Sequence, residues 1–561
     1  MNRRLIGAAA VTAAALAVPL ATGPLADRTV RVAAPLAAPV AGVPAAADRQ
    51  SALVAAEDRR LLTLVSTIRP GSAPYTIALD GVDTLVLTAG GLPYGLADLT
   101  ARGAATVEPD GAVLLTRHVF VAPGARLDLH APGRALRMRS EAAGFVSLVA
   151  WKADLTLAGV DGERLTVTSW DPAARGPDRA VEDGRAYVRD VSGAMTVRHT
   201  DVTFLGFWAG RTGGVAWTGS SRQEATGSVT DSSFRNNHYG AFASRGERLT
   251  VSGATFAGNA VDGLCLHRST AETTIRSSTA RDNGRHGFAA DQGSEAVSFT
   301  DVTAAGNRAH GIFFSGSPLA EGPSAGGAPL HGYGEVVITG GVLRGNGRAG
   351  LRVVDGADVT VAGTRVADNR DGIVLVDTAA PTTVQDAVVT GAHRFGISVD
   401  GGSAALAGNE VTGGQTAIRV RDATATVVRN TVAKATEHGI SVVGRAAGSA
   451  VERNTVGGRG PSGLDTFRLD AGLPVELSGN DVEGWETDRD NWAYWAAFVP
   501  NHPMLVLWVV VLGIPAGLAL RGRRHPLVPG TAPYRDVLRQ ERPPAVRVDV
   551  GRRVVISEKA A

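Results

Sequence analysis

An apolar slot returns along this chain at Phe234, Phe256, Ala280, Ala304, Leu343, Val366, Val389, Val411, Val432, Val456 and Val482. The steps between these positions run from 21 to 26 residues, with one step of 39. The long step marks an insertion between Ser315 and Tyr333. A fixed period of this length constrains the chain to a stacked array, because one unit cannot bury an apolar face alone. A leucine-rich array shares the period. Here, however, the recurring motif is Asn-x-x-x-Gly followed by Ile, Leu or Phe, with neither a leucine frame nor polar stretches of helix length. Three short strands per turn of a parallel β-helix account for it.

The same architecture explains the rest of the chain. Earlier strands are expected at 84–88, 112–115, 127–129, 155–157, 165–168, 186–189, 195–198 and 202–206, each bounded by Gly, Asp or Pro. Seventy glycines and 5% aromatic residues suit many turns and short strands. A formal charge of +2 gives no reason to expect a nucleic acid as partner. Cys265 is the only cysteine, which excludes an intrachain disulfide. The expected fold class is all-β, with a solenoid from residue 75 to 484. Residues 1–26 read as a secretory signal, with Arg3 and Arg4 ahead of an apolar run. Residues 27–74 read as a linker and N-terminal cap, with a short helix at 51–65 over the end of the solenoid. Beyond 484, an aromatic juxtamembrane segment at 485–502 precedes Pro503 to Leu520, eighteen apolar or small residues without charge. That length spans a bilayer as one transmembrane helix, and Arg521, Arg523 and Arg524 behind it fit a cytoplasmic side. The basic tail 521–561 is then cytoplasmic, and the solenoid lies outside the cell membrane.

Side chains alternate along a strand, so in Leu264-Cys-Leu-His267 the leucines share one face, and Cys265 and His267 share the other. Stacking successive units then gives outward rows. Four residues after the corner glycine the row reads Ser244, His267, Asp291 and Ser315. One residue on it reads Arg245, Arg268 and Gln292, and two after the glycine it reads Phe242, Cys265, Ala289 and Phe313. Just before the glycine stand Tyr239, Asp262, His286 and His310. His267 and Asp291 are expected as neighbours, an arrangement that fixes an imidazole tautomer and raises its basicity. His286, His310 and His438 are read as corner residues satisfying turn backbone, and Cys265 as a small filler. The insertion, with Glu321, His331 and Tyr333, leaves the same units and is expected to wall a groove. No His or Cys cluster has ligand spacing, and Asp262 with Asp291 is too sparse for calcium, so no metal or other cofactor is expected.

Ser169-Trp-Asp171, Arg185-Ala-Tyr-Val188, Phe204-Leu-Gly206, Asp231-Ser-Ser-Phe234 and Tyr239-Gly240 together resemble the exported right-handed β-helix alginate (mannuronan) C5-epimerases over about residues 150–320. That family carries a Tyr-Gly-x-Asp-Pro-His-Asp strand with an arginine on the next rung. Matched by register, the resemblance puts His267 at the catalytic base and Asp262 at the tyrosine proton donor. Cys265, Leu266 and Arg268 replace the Asp, Pro and second Asp, and Gln292 falls where the carboxylate-neutralising arginine is expected. A register one rung earlier keeps Tyr239 and Arg268 but puts Ser244 at the base. Removing H5 from a uronate needs a base near the carbon and a cation on the carboxylate, and Arg268 or Arg245 can supply the cation from neighbouring positions.

Two functions follow. One is an enzyme acting on an acidic polysaccharide by C5-epimerisation or elimination. Its catalytic residues are His267, Asp291, Asp262 and Arg268, and Tyr239, Phe242, Ser244, Arg245, Gln292, Phe313 and Ser315 contact the substrate. The alternative is a non-catalytic glycan-binding or scaffold protein, beside a membrane polysaccharide synthase or export system.

Overall fold

In the computed structural model the described residues are 45–79, 81–317, 333–379, 381–470 and 474–488. The signal (1–26), the transmembrane stretch (503–520), the tail (521–561) and the insertion residues Glu321 and His331 lie outside them. Among the described residues no helix is long and apolar enough to cross a membrane.

Nearly all strand pairings are parallel and join one rung to the next, so the chain coils as a β-helix with three faces. The apolar slot forms one continuous ladder. Phe234 pairs with Phe256, then Ala280, Ala304, Leu343, Val366, Val389, Val411, Val432 and Val456 in register. These side chains and the inward residues of the other two faces make one buried cluster running from Leu85 to Val456. Each fully buried aliphatic side chain contributes about 1.5–3 kcal/mol, so the core is stabilised along its length and not from one centre.

The corners explain the Asn-x-x-x-Gly motif. Asn259, Asn283, Asn307, Asn346 and Asn369 stack in a ladder, each side-chain oxygen accepting the amide N–H of the asparagine one rung earlier. Glycine follows because rungs approach too closely for a Cβ: at Gly263 it would lie 2.5 Å from the Gly287 carbonyl oxygen.

The N-terminal helix differs from expectation in place and length. Helix α1 spans Ala45–Ser66 and lies on the side of the solenoid, not over its end. Its Val54, Leu61 and Leu64 pack on Val86, Phe120, Val149 and Tyr187, which point outward from four successive rungs of one sheet. Buried polar bonds fasten it. Tyr187 donates to Glu57 Oε2 at 2.6 Å, and Arg60 donates to Glu57 Oε2 and Ser147 Oγ, both at 2.7 Å. A shorter helix, Leu96–Ala101, carries Leu99 into the interior cluster near its N-terminal end.

Candidate functional site

The sheet that carries α1 continues, past the helix, into the strands Val215–Thr218, Ala241–Ser244, Leu264–His267 and Phe288–Ala290. In register, Phe242 pairs with Cys265 and Cys265 with Ala289, while Ser244 pairs with His267. Leu264 and Leu266 are buried in the interior. The opposite face opens into a cleft of about 460 Å³ lined by Arg189, Gly210, Arg211, Thr218, Tyr239, Phe242, Ser244, Arg245, Cys265, His267, Arg268, Arg285 and Asp291.

The imidazole Nδ1 of His267 lies 2.6 Å from Asp291 Oδ1, and both side chains are half-buried. An ionised carboxylate only accepts, so Nδ1 donates and the free lone pair sits on Nε2. The Phe242 ring packs 5.7 Å from the imidazole and 5.7 Å from the Tyr239 ring, so the imidazole sits beside a small apolar floor. Burial, with Cys265 and Asp262 adding to it, pushes the Tyr239 phenol well above its usual range, so it holds its proton at neutral pH.

Five guanidinium groups line the cleft. Arg211 bonds Asp58 of α1, with Nη2 2.6 Å from Oδ2, and Arg189 lies 3.7 Å from the same carboxylate. Arg285 is held by Asp262. Arg245 and Arg268 have no acidic partner among the described residues. Both take left-handed backbone at the turn after their strands, φ 53° and 41°, as Gln292 does at 55°. The cleft therefore has two cations free for an anionic ligand.

Asp262 departs from its expected role. Its carboxylate is fully buried, with Arg285 Nε on Oδ1 at 2.9 Å, Arg285 Nη2 on Oδ2, and the His286 N–H on Oδ1 at 3.0 Å. With those oxygens committed and no solvent contact, it positions Arg285 and does not line the cleft. Three other expected contacts also lie outside the lining. Gln292 is exposed at the turn, Ser315 Oγ bonds Ser317 Oγ at 2.9 Å, and Phe313 stacks 4.7 Å from His286. His286 and His310 do serve the corner backbone: their Nδ1 atoms accept the N–H of His310 at 3.4 Å and of Ala349 at 3.1 Å. Burial depresses both imidazoles to about 3. Sequence reasoning missed Arg189, Arg211 and Arg285. Arg285 was legible as the residue preceding His286, one rung above Asp262.

Cys265, His267 and Asp291 bring one ligand atom each within 4.8 Å of one another, a set that chain-local spacing did not reveal because two rungs supply it. The buried thiol is pushed well above its usual value by desolvation, and the surrounding guanidinium groups oppose a divalent cation. The arrangement suits an anion better than a metal.

Of the residues that carry the sequence resemblance, Tyr239 lines the cleft, and Arg185, Leu205 and Gly206 support it. Arg185 is buried and donates to the Gly206 and Leu205 carbonyls at 2.9 and 3.2 Å, fixing the loop that carries Gly210 and Arg211.

The sequence profile described as "Right handed beta helix region" matches residues 187–321, which hold most of the cleft, and that described as "Periplasmic copper-binding protein (NosD)" matches 329–459. The crystal structure of the periplasmic alginate epimerase AlgG is similar over 71% of this chain and 85% of its own, with a TM-score of 0.50 and 15% identity. The chain is a right-handed parallel β-helix. The A-module of the Azotobacter vinelandii mannuronan C-5 epimerase AlgE6 is 16% identical over 69% of this chain and 98% of its own, with a TM-score of 0.36. No curated protein matches the sequence.

Proposed function

We propose that this chain is an extracytoplasmic β-helix protein that binds an acidic polysaccharide in the cleft and abstracts H5 of a bound uronate, as an epimerase or lyase does. The observation that carries the reading is the His267–Asp291 pair at 2.6 Å beside two guanidinium groups, Arg245 and Arg268, that have no acidic partner among the described residues. Asp291 orients the imidazole, and Nε2 takes the proton from C5. Arg268 or Arg245 neutralises the carboxylate, where negative charge builds up as the carbanion forms. Tyr239 holds its proton and lines the same cleft, so it replaces Asp262 as the group that returns a proton to C5 or to the leaving oxygen. Pro503 to Leu520 anchors the protein in the cell membrane with its tail in the cytoplasm, next to a polysaccharide synthase.

Solvent deuterium exchange at C5 of mannuronan is the test. His267→Ala abolishes exchange and leaves polysaccharide binding, because a base acts on the transition state more than on the ground state. Arg268→Ala weakens both. Exchange that persists in His267→Ala removes the base assignment. Binding without exchange in the unaltered protein puts the non-catalytic scaffold reading first, and the neutral Gln292 in the arginine slot is the observation that favours it.

A further inference from the structure

The outward face of the cleft sheet is shared between two occupants. Helix α1 covers its four N-terminal rungs, and the cleft begins at the last of them, with Arg189. The boundary is a built wall. Asp58 of the helix ties Arg211 and Arg189, Phe207 packs in the same buried cluster as Leu61 and Leu64, and Arg185 holds the Leu205 and Gly206 carbonyls from beneath. Gly210 sits so close to Phe242 that a Cβ there would lie 2.2 Å from the ring, and Gly213 would place one 2.6 Å from Tyr239. The wall thus leans directly on the aromatic floor.

In the other direction the same face offers continued contacts. Phe313, half-buried on that face, stacks on the buried His286 and His310 rings with centroids 4.7 and 5.9 Å away. Arg348 and Arg352, on the rung that follows, have no acidic partner among the described residues. Rungs repeat at about 4.8 Å, close to the length of one sugar unit, so side chains in a row can address successive units of an extended polymer. The Phe313 ring and these two cations suit the ring faces and carboxylates of a polyuronate.

We infer that the polymer enters from the C-terminal rungs and stops with one end against the wall made by α1 and the loop at Phe204–Gly213, so that the site reads chain ends and not interior segments. This rests on the polysaccharide reading above. Two rungs, those of Thr218 and Ser244, separate the covered rung of Val191 from His267. The wall itself reaches the Phe242 rung, directly before that of His267, so about one sugar unit fits between wall and base and the reacting unit is within roughly two of the terminus.

The experiment is a binding titration of the full chain with mannuronate oligomers of defined length carrying a bulky fluorophore at either the reducing or the non-reducing end. It needs no turnover and is run also on His267→Ala. The expected result is that a label at one end weakens binding at least about tenfold, while a label at the other is tolerated. Per sugar unit, high-molecular-weight mannuronan with few ends then competes far less well than short oligomers. Equal tolerance of both labels, or polymer competing per unit as well as oligomers, overturns end recognition while leaving the base assignment untouched. Loss of C5 exchange in an otherwise end-selective protein leaves this inference standing and removes the catalytic one. Failure to bind any labelled or unlabelled mannuronate removes both.

Discussion

Replacing Arg285 by alanine separates a structural Asp262 from a catalytic one. The Asp262 carboxylate is 0% exposed and accepts two bonds from the guanidinium and one from the His286 amide. Removing one partner of a fully buried pair costs about 3–5 kcal/mol, because the remaining charge is left uncompensated. Arg285 is itself 44% exposed, so water reaches the vacated side and screens part of that cost. The expected loss is about 2 kcal/mol. In a solenoid such a loss is felt locally, since each rung touches only its neighbours. Native-state hydrogen exchange is therefore the right assay: amides of residues 259–290 exchange roughly thirtyfold faster in Arg285→Ala, and those beyond residue 400 are unchanged. Asp262→Asn keeps the acceptor for the His286 amide and retains C5 exchange if the unaltered protein has it. Two results sink the assignment. One is protection unchanged in Arg285→Ala; the other is C5 exchange lost in Asp262→Asn with local protection intact.

Three further outcomes are expected. Asn307→Ala removes bonds to the Asn283 amide and side chain, the Ala280 carbonyl and Asn346. It leaves a buried N–H unsatisfied, so it lowers stability by about 2–4 kcal/mol in urea unfolding; a change below about 0.5 kcal/mol contradicts the ladder's role. His286, His310 and the buried His118, whose Nδ1 accepts the Ser147 N–H, are held to about 3 by burial, against an ordinary value of 6.5, so the unfolded chain binds more protons between those values. Stability is then full above pH 6.5 and is lost as pH falls toward 3, and melting temperatures flat from pH 7 to 4 contradict the burial of these rings as neutral groups. Protease added to intact cells removes the solenoid and leaves a protected fragment bearing Arg521–Ala561, whereas loss of a tail epitope reverses the proposed topology.

What the sequence made legible follows from where a solenoid repeats itself. Residues in the strands recur at fixed offsets, and hydrogen-bond register turns those offsets into adjacency. This is why Phe234 through Val456 line up as one ladder, and why His267 and Asp291, 24 residues apart, come within 2.6 Å. The same logic gave no access to the side of the molecule. Helix α1 carries Val54, Leu61 and Leu64 on one face, but a helical period states only that the face is buried, not which rungs it covers. The wall it makes with Arg211 is therefore invisible in the chain.

The corners fail for a different reason. A residue in a strand points to one of two sides, whereas a residue at a turn can aim along the axis at the neighbouring rung. Asp262 stands in the row of Tyr239, yet it turns into the stack to meet Arg285 and the His286 amide, while Tyr239 faces the cleft. Row membership fixed the position of Asp262 and not its chemistry. The partner decides the chemistry, and for a buried carboxylate the deciding question is which cation or amide lies one rung away. In the sequence alone, that question identifies Arg285 as the partner of Asp262, and it leaves Arg245 and Arg268, with no acid one rung away at their own positions, as the cations available to an anionic ligand.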